Sequence, residues 1–406
     1  MNKQISNLDF NLSSSENPQQ TQSICRNIHG IYTSATIFTT KNKETAIDDY
    51  AIKQLQMLCD NETLKDCRIR VMPDVHPGKV GTIGFTTTIG EKIMPNLVGI
   101  DIGCGMTLAQ IKGKKTEFQK IDTVIRENIP SGFQIRKKPH RFSQEFDFTK
   151  LRCYKQIRKD KAMLSLGTLG SGNHFLELDK DLEGNLYVVI HSGSRHLGKE
   201  VTEYYLNEGQ KQLKAQNIEI PYELTYLEGS MQEDYLWDLQ IVQTFAQLNR
   251  EIILDELAKG MKWKVLDTYS CIHNYVDNTP ETLSTFDAPI LRKGAISAKK
   301  NEKVIIPINM RDGILLGIGL GNIEWNCSAP HGSGRIFKRE EVKERFTVSA
   351  FKSAMKGIYS SCIGKDTLDE APFAYRGMEE IAEVMKDTVR IDNIIRPIYN
   401  YKAGSK

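Results

Sequence analysis

The sequence predicts an α+β protein, with mixed β-sheets flanked by helices around a central cleft and the chemistry-bearing residues on loops and strand ends. Three observations point there. Short apolar, β-branched runs recur along the 406 residues and end in Gly- or Ser-rich turns, whereas clear helical stripes are few. Those turns carry Asp, Cys and His side chains. The GxGxxG-like spacings lack a following helix of the required pattern, which removes a Rossmann or P-loop domain.

Composition narrows the class further. The chain has 54 basic and 51 acidic residues and a net charge of +3, so any polyanion site must be a local concentration of Arg and Lys. Its length suits one large or two ordinary domains. No apolar run reaches the roughly 18 residues of a membrane span, and the start MNKQISNLDFNLSSSENPQQ lacks a signal-like apolar region. A cytoplasmic protein without a membrane segment is expected. Eight cysteines without paired spacing read as free thiols in a reducing compartment.

Taken in order, residues 1–24 form a polar arm and residues 25–406 the folded part. Apolar spacing predicts a helix over Thr45–Met57, and Arg68–Met72 reads as a strand. Pro73–Gly90 is a glycine-punctuated loop holding Asp74, His76 and Lys79. VGIDIGCGM, Val98–Met106, delivers Asp101 and Cys104 into a turn bent by Gly99, Gly103 and Gly105. A carboxylate and a thiolate three residues apart can share a divalent metal, thiolate suiting zinc-like ions and carboxylate admitting manganese. A structural turn with a buried cysteine is the other reading. Lys112–Arg158 is basic and irregular, including IRKKPHRF from Ile135 to Phe142; it is either a solvated face, with His140 at the surface, or a phosphate-contacting excursion.

Two strand-and-loop units follow. Ser165–Asp179 passes through Asn173 and His174 into an apolar strand, and Leu186–Gly198 is a strand ending in His191, Ser192, Gly193, Ser194 and Arg195. A histidine that ends an apolar strand and faces a Gly/Ser loop suits a metal or an anion, the alternative being a hydrogen-bonded loop histidine. Gln232–Met261 is helical, with Trp237, Ile241, Phe245, Leu248 and Ile252 as its core stripe; Asn249 and Arg250 fall just off it, toward a site or solvent. Thr268–Val276 is a strand holding His273, with Cys271 on the same face as a packed thiol or a ligand. Arg292 and Lys293 stand beside a Gly-Ala turn, and VIIPINMRDGILLGIGLGN forms a strand pair. In NCSAPHGSGR, Asn326–Arg335, His331 sits on a constrained backbone with bare amides and a guanidinium nearby, as a histidine nucleophile attacking a nucleotide phosphate requires. Tyr375–Asp387 reads as a helix before the final YKAGSK, where a lysine such as Lys402 is ordinarily solvent-facing.

The ordered motifs DVHPG, DIGCGM, GTLGSGNHF, IHSGSR, HNYV, RKGA, CSAPHGSGR and YKAG resemble the RtcB family of GTP-dependent RNA ligases, from about Val71 to the C-terminus. The resemblance implies a single RtcB-like catalytic domain around a dinuclear metal cleft. It implies an enzyme joining RNA 3′-phosphate or 2′,3′-cyclic phosphate ends to 5′-hydroxyl ends, in repair or tRNA splicing, with GTP and two Mn²⁺ ions. Matching residue by residue, Cys104 would bridge the ions, one completed by Asp101 and His174 and the other by His191 and His273. His331 would carry GMP, with Asp74 and Asn173 assisting. Asn173, Glu177, Asn309, Ser333, Gly334, Arg335, Tyr375 and Lys402 would hold the nucleotide, and Arg195, Arg292, Lys293 and Arg335 would hold RNA or phosphate oxygens.

The chain departs from the family pattern in PINMRDG, Pro307–Gly313, where a PGSMG-like segment is usual and Asn309 stands for a serine. His196 replaces a customary glycine after HSGSR. A rival reading is an RNA-binding module that has lost ligation and keeps at most cyclic-phosphate hydrolysis. The complete set of candidate metal ligands together with His331 argues against it, since a binding module needs neither.

Overall fold

A computed structural model describes residues 24–39, 47–113 and 116–403. The expected polar arm lies outside the described residues except for Ile24, as do Gly404–Lys406. Two large sheets organise the chain. In the six-stranded sheet the order is Ile24–His29, Ser34–Thr39, Ile69–Pro77, Thr82–Thr88, Ile290–Lys293 and Asn274–Asp277. In the seven-stranded sheet it is Lys264–Ile272, Gly105–Lys112, Leu186–Ser192, Phe175–Lys180, Val389–Tyr401, Gly313–Gly319 and Lys303–Asn309. Neighbours pair antiparallel except Ser34–Thr39 with Ile69–Pro77, which gives the mixed sheet expected of an α+β fold.

Strand alternation decides which side chains reach the cleft. Along Leu186–Ser192, Val188 and Ile190 face a core shared with Leu176, Leu178 and the helix residues Ile253 and Leu257. Val189 lies on the opposite face with Met106, Leu108 and Ile305, so His191 two residues on shares that face. The chain crosses from one sheet to the other at a single residue, since Lys264–Ile272 belongs to one and Asn274–Asp277 to the other. That residue is His273.

The helix Gly229–Met261 runs beneath the site loops. Tyr235, Leu239, Val242, Phe245 and Ile252 recur at helical spacing and are fully buried. The helix ends where Lys262 adopts the left-handed conformation and its N–H reaches back to Ala258 and Lys259 carbonyls. Trp237, expected in the core, is instead 48% exposed: its indole N–H donates to the Lys150 carbonyl and Arg152 covers the ring.

Asn249 and Arg250 point into the protein and are fully buried. Asn249 Oδ1 accepts from the Gly167 and Thr168 N–H groups at 2.8 and 3.1 Å, and its Nδ2 donates to Thr168, Ser192 and Gly193 oxygens. Arg250 donates to the Gly103 and Ser192 carbonyls, each at 2.9 Å, and to Thr107. Burial lowers its guanidinium to about 10, so it remains charged at neutral pH.

Several local expectations need correction. The basic stretch Lys112–Arg158 contains a helix, Phe118–Asn128, whose Ile121, Val124 and Ile125 are buried while its charged face concealed the period. His140 is buried, with Nε2 2.9 Å from Glu256, and is no surface residue. The early helix spans Asp49–Cys59, started by Asp48 accepting from the Tyr50 N–H; residues 45 and 46 of the predicted span are outside the described ones. The predicted loop after Met72 is strand as far as Pro77, and the C-terminal helix is shorter, Met378–Val384 with a 3₁₀ turn to Asp387. Among the described residues no helix is long and apolar enough to cross a membrane.

Replacing Asn249 with Ala strands two backbone N–H groups and two carbonyls in the interior. At about 1–3 kcal/mol per unsatisfied buried group, offset by relaxation, a loss of roughly 2–4 kcal/mol is expected. Denaturant unfolding of Asn249→Ala against wild type measures it, and an unchanged midpoint would show that the loops hold themselves.

Candidate active site

The turn Asp101–Cys104 leads into the strand Gly105–Lys112, and its shape is fixed from behind. Gly103 has φ +68° and lies so close to the helix that a Cβ there would stand 3.0 Å from Ala246 Cβ and Gln243 Cα. Its N–H donates to the Asn274 carbonyl at 2.7 Å, and the His273 N–H donates to the Cys104 carbonyl at 2.8 Å. The turn and the sheet crossing are therefore stitched together. Gly193 is equally constrained, since a Cβ there would overlap the Asp101 carboxylate.

Around Cys104 Sγ the distances are short: 3.3 Å to His174 Nε2 and 3.4 Å to His191 Nε2. His191 Nε2 lies 3.3 Å from His273 Nε2, and His174 Nε2 lies 2.9 Å from Asp101 Oδ2. Two sets follow, Asp101–Cys104–His174 and Cys104–His191–His273, each with its ligand atoms within 4.8 Å of one another and with the sulfur common to both. The outer nitrogens fix the tautomers: His174 Nδ1 donates to the Leu169 carbonyl at 2.8 Å and His191 Nδ1 to the Asn173 carbonyl at 3.0 Å. Their Nε2 lone pairs then converge on the sulfur.

Electrostatics favour the metal-binding protonation states of the imidazoles. Burial, then neighbouring histidines, pushes His191 and His273 well below the ordinary range, so both are neutral. Burial would raise Asp101, but His174 and Arg195 outweigh it and hold the carboxylate ionised. Burial and Asp101 push the Cys104 thiol far up, which makes the bare thiolate costly. Lone pairs aimed at one another across 3.3 Å, beside a carboxylate, need positive charge between them. The donor set accordingly fits two divalent cations joined by one thiolate.

A second constellation faces this one. His331 Nδ1 lies 2.7 Å from Asp74 Oδ2, and the same oxygen accepts the His331 backbone N–H at 3.2 Å. Asp74 is fully buried, and Arg376 holds the preceding Pro73 carbonyl at 2.5 Å. With Nδ1 donating to the carboxylate, Nε2 keeps its lone pair toward the cleft. The His331 ring is 4.8 Å, centroid to centroid, from that of His273. His76 also borders the cleft, lowered by burial to about 4 and therefore neutral.

The cleft runs from His191, His273 and His331 to a polar end formed by Glu177, Tyr375 and Lys402. Glu370 organises that end. Lys402 Nζ donates to it at 2.7 Å, Tyr375 Oη donates to the same oxygen, and the Arg339 guanidinium forms an ion pair with the other at 2.6 Å. Burial would raise the Glu370 carboxyl, but Lys402, Arg339 and Arg335 bring it to about 2. Glu177 behaves oppositely: burial lifts it to about 7, only partly opposed by the Asn400 amide 2.6 Å away and by Lys402.

Asn173, Glu177, Asn309, Ser333, Gly334, Arg335, Tyr375 and Lys402 all line this cleft. Lys402 is thus buried in it and no solvent-facing tail residue. The Asn309 side chain is largely committed to its own hairpin, accepting from the Arg311 and Asp312 N–H groups and donating to Asp312. Ser333 likewise donates to the Ile308 carbonyl. Arg195 has φ +54° and sets Nη1 3.4 Å from His174 Nδ1. Cys271 is a packed thiol near the Lys303 carbonyl, outside both ligand sets.

Two expected phosphate contacts are corrected. Arg292 is fully buried and spends its donors on Asp277, Tyr275, Ser328 and the Asn326 and Cys327 carbonyls. Lys293 is buried against the Val80 and Asn96 carbonyls. Both are buried in the six-stranded sheet, with their donors bound to protein oxygens. Glu370 and Arg339 went unnoticed in sequence, where they belong to ordinary charged segments; the only signal was the need of a buried Lys402 for a counter-charge.

Fold and site together place two candidate metal-ligand sets that share one cysteine beside an oriented imidazole at one cleft. The profile of the family described as tRNA-splicing ligase RtcB matches residues 60–152 and 143–403. RNA-splicing ligase RtcB of Escherichia coli strain K12 is 29% identical over 367 residues, covering 81% of this chain and 88% of its own. The tRNA-splicing ligases RtcB of Aeropyrum pernix and Nanoarchaeum equitans are 28% and 26% identical, each covering 77% of this chain and 83% of its own. The chain belongs to the RtcB family.

Titration with Co²⁺ checks the shared sulfur without an activity assay. Wild type is expected to take up two ions and show a thiolate-to-metal charge-transfer band, and Cys104→Ala to lose the band and bind much more weakly. A band that survives in the variant would remove the bridging role.

Proposed function

We propose that the chain is a cytoplasmic RNA ligase that joins an RNA 3′-phosphate or 2′,3′-cyclic phosphate end to a 5′-hydroxyl end, using GTP and Mn²⁺. The observation that carries this reading is the pair His331–Asp74, which presents Nε2 to the cleft opposite the shared sulfur. The names of the relatives, RNA-splicing ligase and tRNA-splicing ligase, support it.

In this reading His331 Nε2 attacks the α-phosphorus of GTP, forming a P–N bond as the bond to pyrophosphate breaks. Asp74 keeps Nδ1 protonated and stabilises the charge that develops on the ring, the orienting role that a buried carboxylate plays beside a catalytic histidine. An oxygen of the RNA 3′-phosphate then attacks the same phosphorus and frees His331. The 5′-hydroxyl oxygen finally attacks the activated RNA phosphorus, and GMP departs. Asp101, Cys104 and His174 would hold one ion and Cys104, His191 and His273 the other. Two such cations supply Lewis-acid polarisation of phosphoryl oxygens and, for a cyclic phosphate, an activated water.

The chain's own groups account for nucleotide selection. Glu177 and Lys402 would take the base edge, Tyr375 its face, and Asn173, Ser333, Gly334 and Arg335 the ribose and phosphates. A carboxylate accepting two base N–H donors must be ionised. Glu177, raised to about 7, is protonated below that value and ionised above it, so nucleotide affinity should rise as pH climbs through about 7. Glu177→Gln should flatten the profile of Kd for GTP against pH, and a profile with the wild-type slope in that variant assigns the titration elsewhere.

Covalent labelling tests the central step. With α-labelled GTP and Mn²⁺, wild type should acquire an acid-labile label that His331→Ala lacks, and Asp74→Asn should label roughly a hundredfold more slowly. Wild-type protein that takes no label, alone or with RNA bearing a 3′-phosphate, would end the ligase reading.

A further inference from the structure

The loop after the helix Phe118–Asn128 has no part in the chemistry above, yet its construction asks for a ligand. It is held rigidly. The Leu169 and Gly132 N–H groups bond to the Pro130 and Gly170 carbonyls, each at 2.9 Å, which ties the loop to the segment carrying Asn173 and His174. The Arg136 N–H donates to the Leu164 carbonyl at 2.9 Å, and its guanidinium donates to the Asn128 and Leu166 carbonyls and forms an ion pair with Glu256. Ser131 Oγ meets Tyr401 Oη at 3.2 Å.

On this fixed frame Phe133 is 82% exposed, the most exposed aromatic side chain among the described residues. Other exposed rings differ: Trp237 carries a hydrogen bond to Lys150 and a covering Arg152, whereas Phe133 has no ring or cation partner among the described residues. Lys137 and Lys138 stand exposed four and five residues on. Ser131, Gly132 and Gln134 line a polar cleft with Lys365, Asp366 and Arg126, the last paired with Asp122. Lys402 lines both that cleft and the catalytic one, so the two lie side by side at this residue.

We propose that Phe133 is a stacking platform for an unpaired base of the RNA strand just outside the catalytic cleft, with Lys137, Lys138, Arg126 and Lys365 neutralising the flanking phosphates. An open phenyl face on a rigid loop suits any base, because every base has a π face, and immobility removes much of the entropy cost of stacking. The surrounding positive charge favours a nucleic acid over an apolar protein partner. Only the choice of RNA rests on the ligase reading.

Fluorescence anisotropy with a short labelled single-stranded RNA ending in a 3′-phosphate tests this. Phe133→Ala should weaken binding roughly tenfold, Phe133→Trp should keep wild-type affinity, and Phe133→Leu should follow Ala, since it restores apolar area without a π face. Thermal unfolding should be unaltered in all three, because the ring buries little. Affinity unchanged in Phe133→Ala, or fully restored by Leu, would overturn the platform and point to a protein partner at this loop. RNA bound through Phe133 by a wild-type protein that takes no label from GTP would keep the platform and remove the ligase reading.

Discussion

One sulfur atom sets the demands on this structure. Cys104 Sγ belongs to both ligand sets, so Asp101, His174, His191 and His273 must all approach within a few ångströms of the same point although they come from four separate segments. Backbone segments that converge so closely have carbonyls that repel and cannot reach water. Asn249 and Arg250 meet that need: adjacent on one helix, they supply buried donors to the Gly103, Thr168, Ser192 and Gly193 carbonyls. A buried guanidinium is expensive to desolvate, and here its partners are carbonyl dipoles rather than a carboxylate. The positive charge that remains also lies toward Cys104 and Asp101 and opposes the upward push on the thiol.

The polar end of the cleft shows how neighbouring charge gives two equally buried carboxyls different tasks. Glu177 and Glu370 are both fully enclosed, yet one sits near 7 and the other near 2. Three cations surround Glu370, which makes it a fixed anchor for the Lys402, Arg335 and Arg339 side chains. Glu177 has an amide and a distant lysine, so it keeps an unmet demand that a donor-rich ligand edge can satisfy. Environments that drive apart two chemically equivalent groups are how a site assigns roles.

Much of this was legible in the sequence because the site uses residues that have few other reasons to stand where they do. Asp101 and Cys104 stand in a turn with three glycines, and His174 and His191 stand where apolar strands meet Gly- and Ser-rich loops. The long helix was legible from its stripe, since Phe245 and Ile252 obey the period. Charge was the misleading signal. Arg292 and Lys293 read as phosphate ligands because a cation beside a Gly-Ala turn looks exposed, but their strand is covered on both faces, so the two side chains are buried on opposite sides of it. The helix Phe118–Asn128 was hidden for the converse reason, its four charged residues, Lys120, Asp122, Arg126 and Glu127, outnumbering three buried apolar ones. Asn249 and Arg250 fell between the readings, as polar residues beside an apolar stripe give no sign of which way they face.

The position of His273 connects the fold to the chemistry more directly than any other residue. It is the single residue between a strand of the seven-stranded sheet and a strand of the six-stranded sheet, and its N–H and carbonyl are both taken, by Cys104 on one side and by Gly294 on the other. Gly294 in turn lies against His331, to which a Cβ would stand 3.2 Å away. Any shift of one sheet against the other therefore moves an imidazole relative to Cys104 and to His331 at once. Ligands drawn from both sheets also mean that whatever binds at the shared sulfur stabilises their docking, by RT ln(1 + [L]/Kd) when the docked state alone is competent. The two-sheet scaffold thus sets the spacing between the shared sulfur and His331, and the six-stranded sheet, which contributes Asp74 as well, belongs to the site rather than merely supporting it.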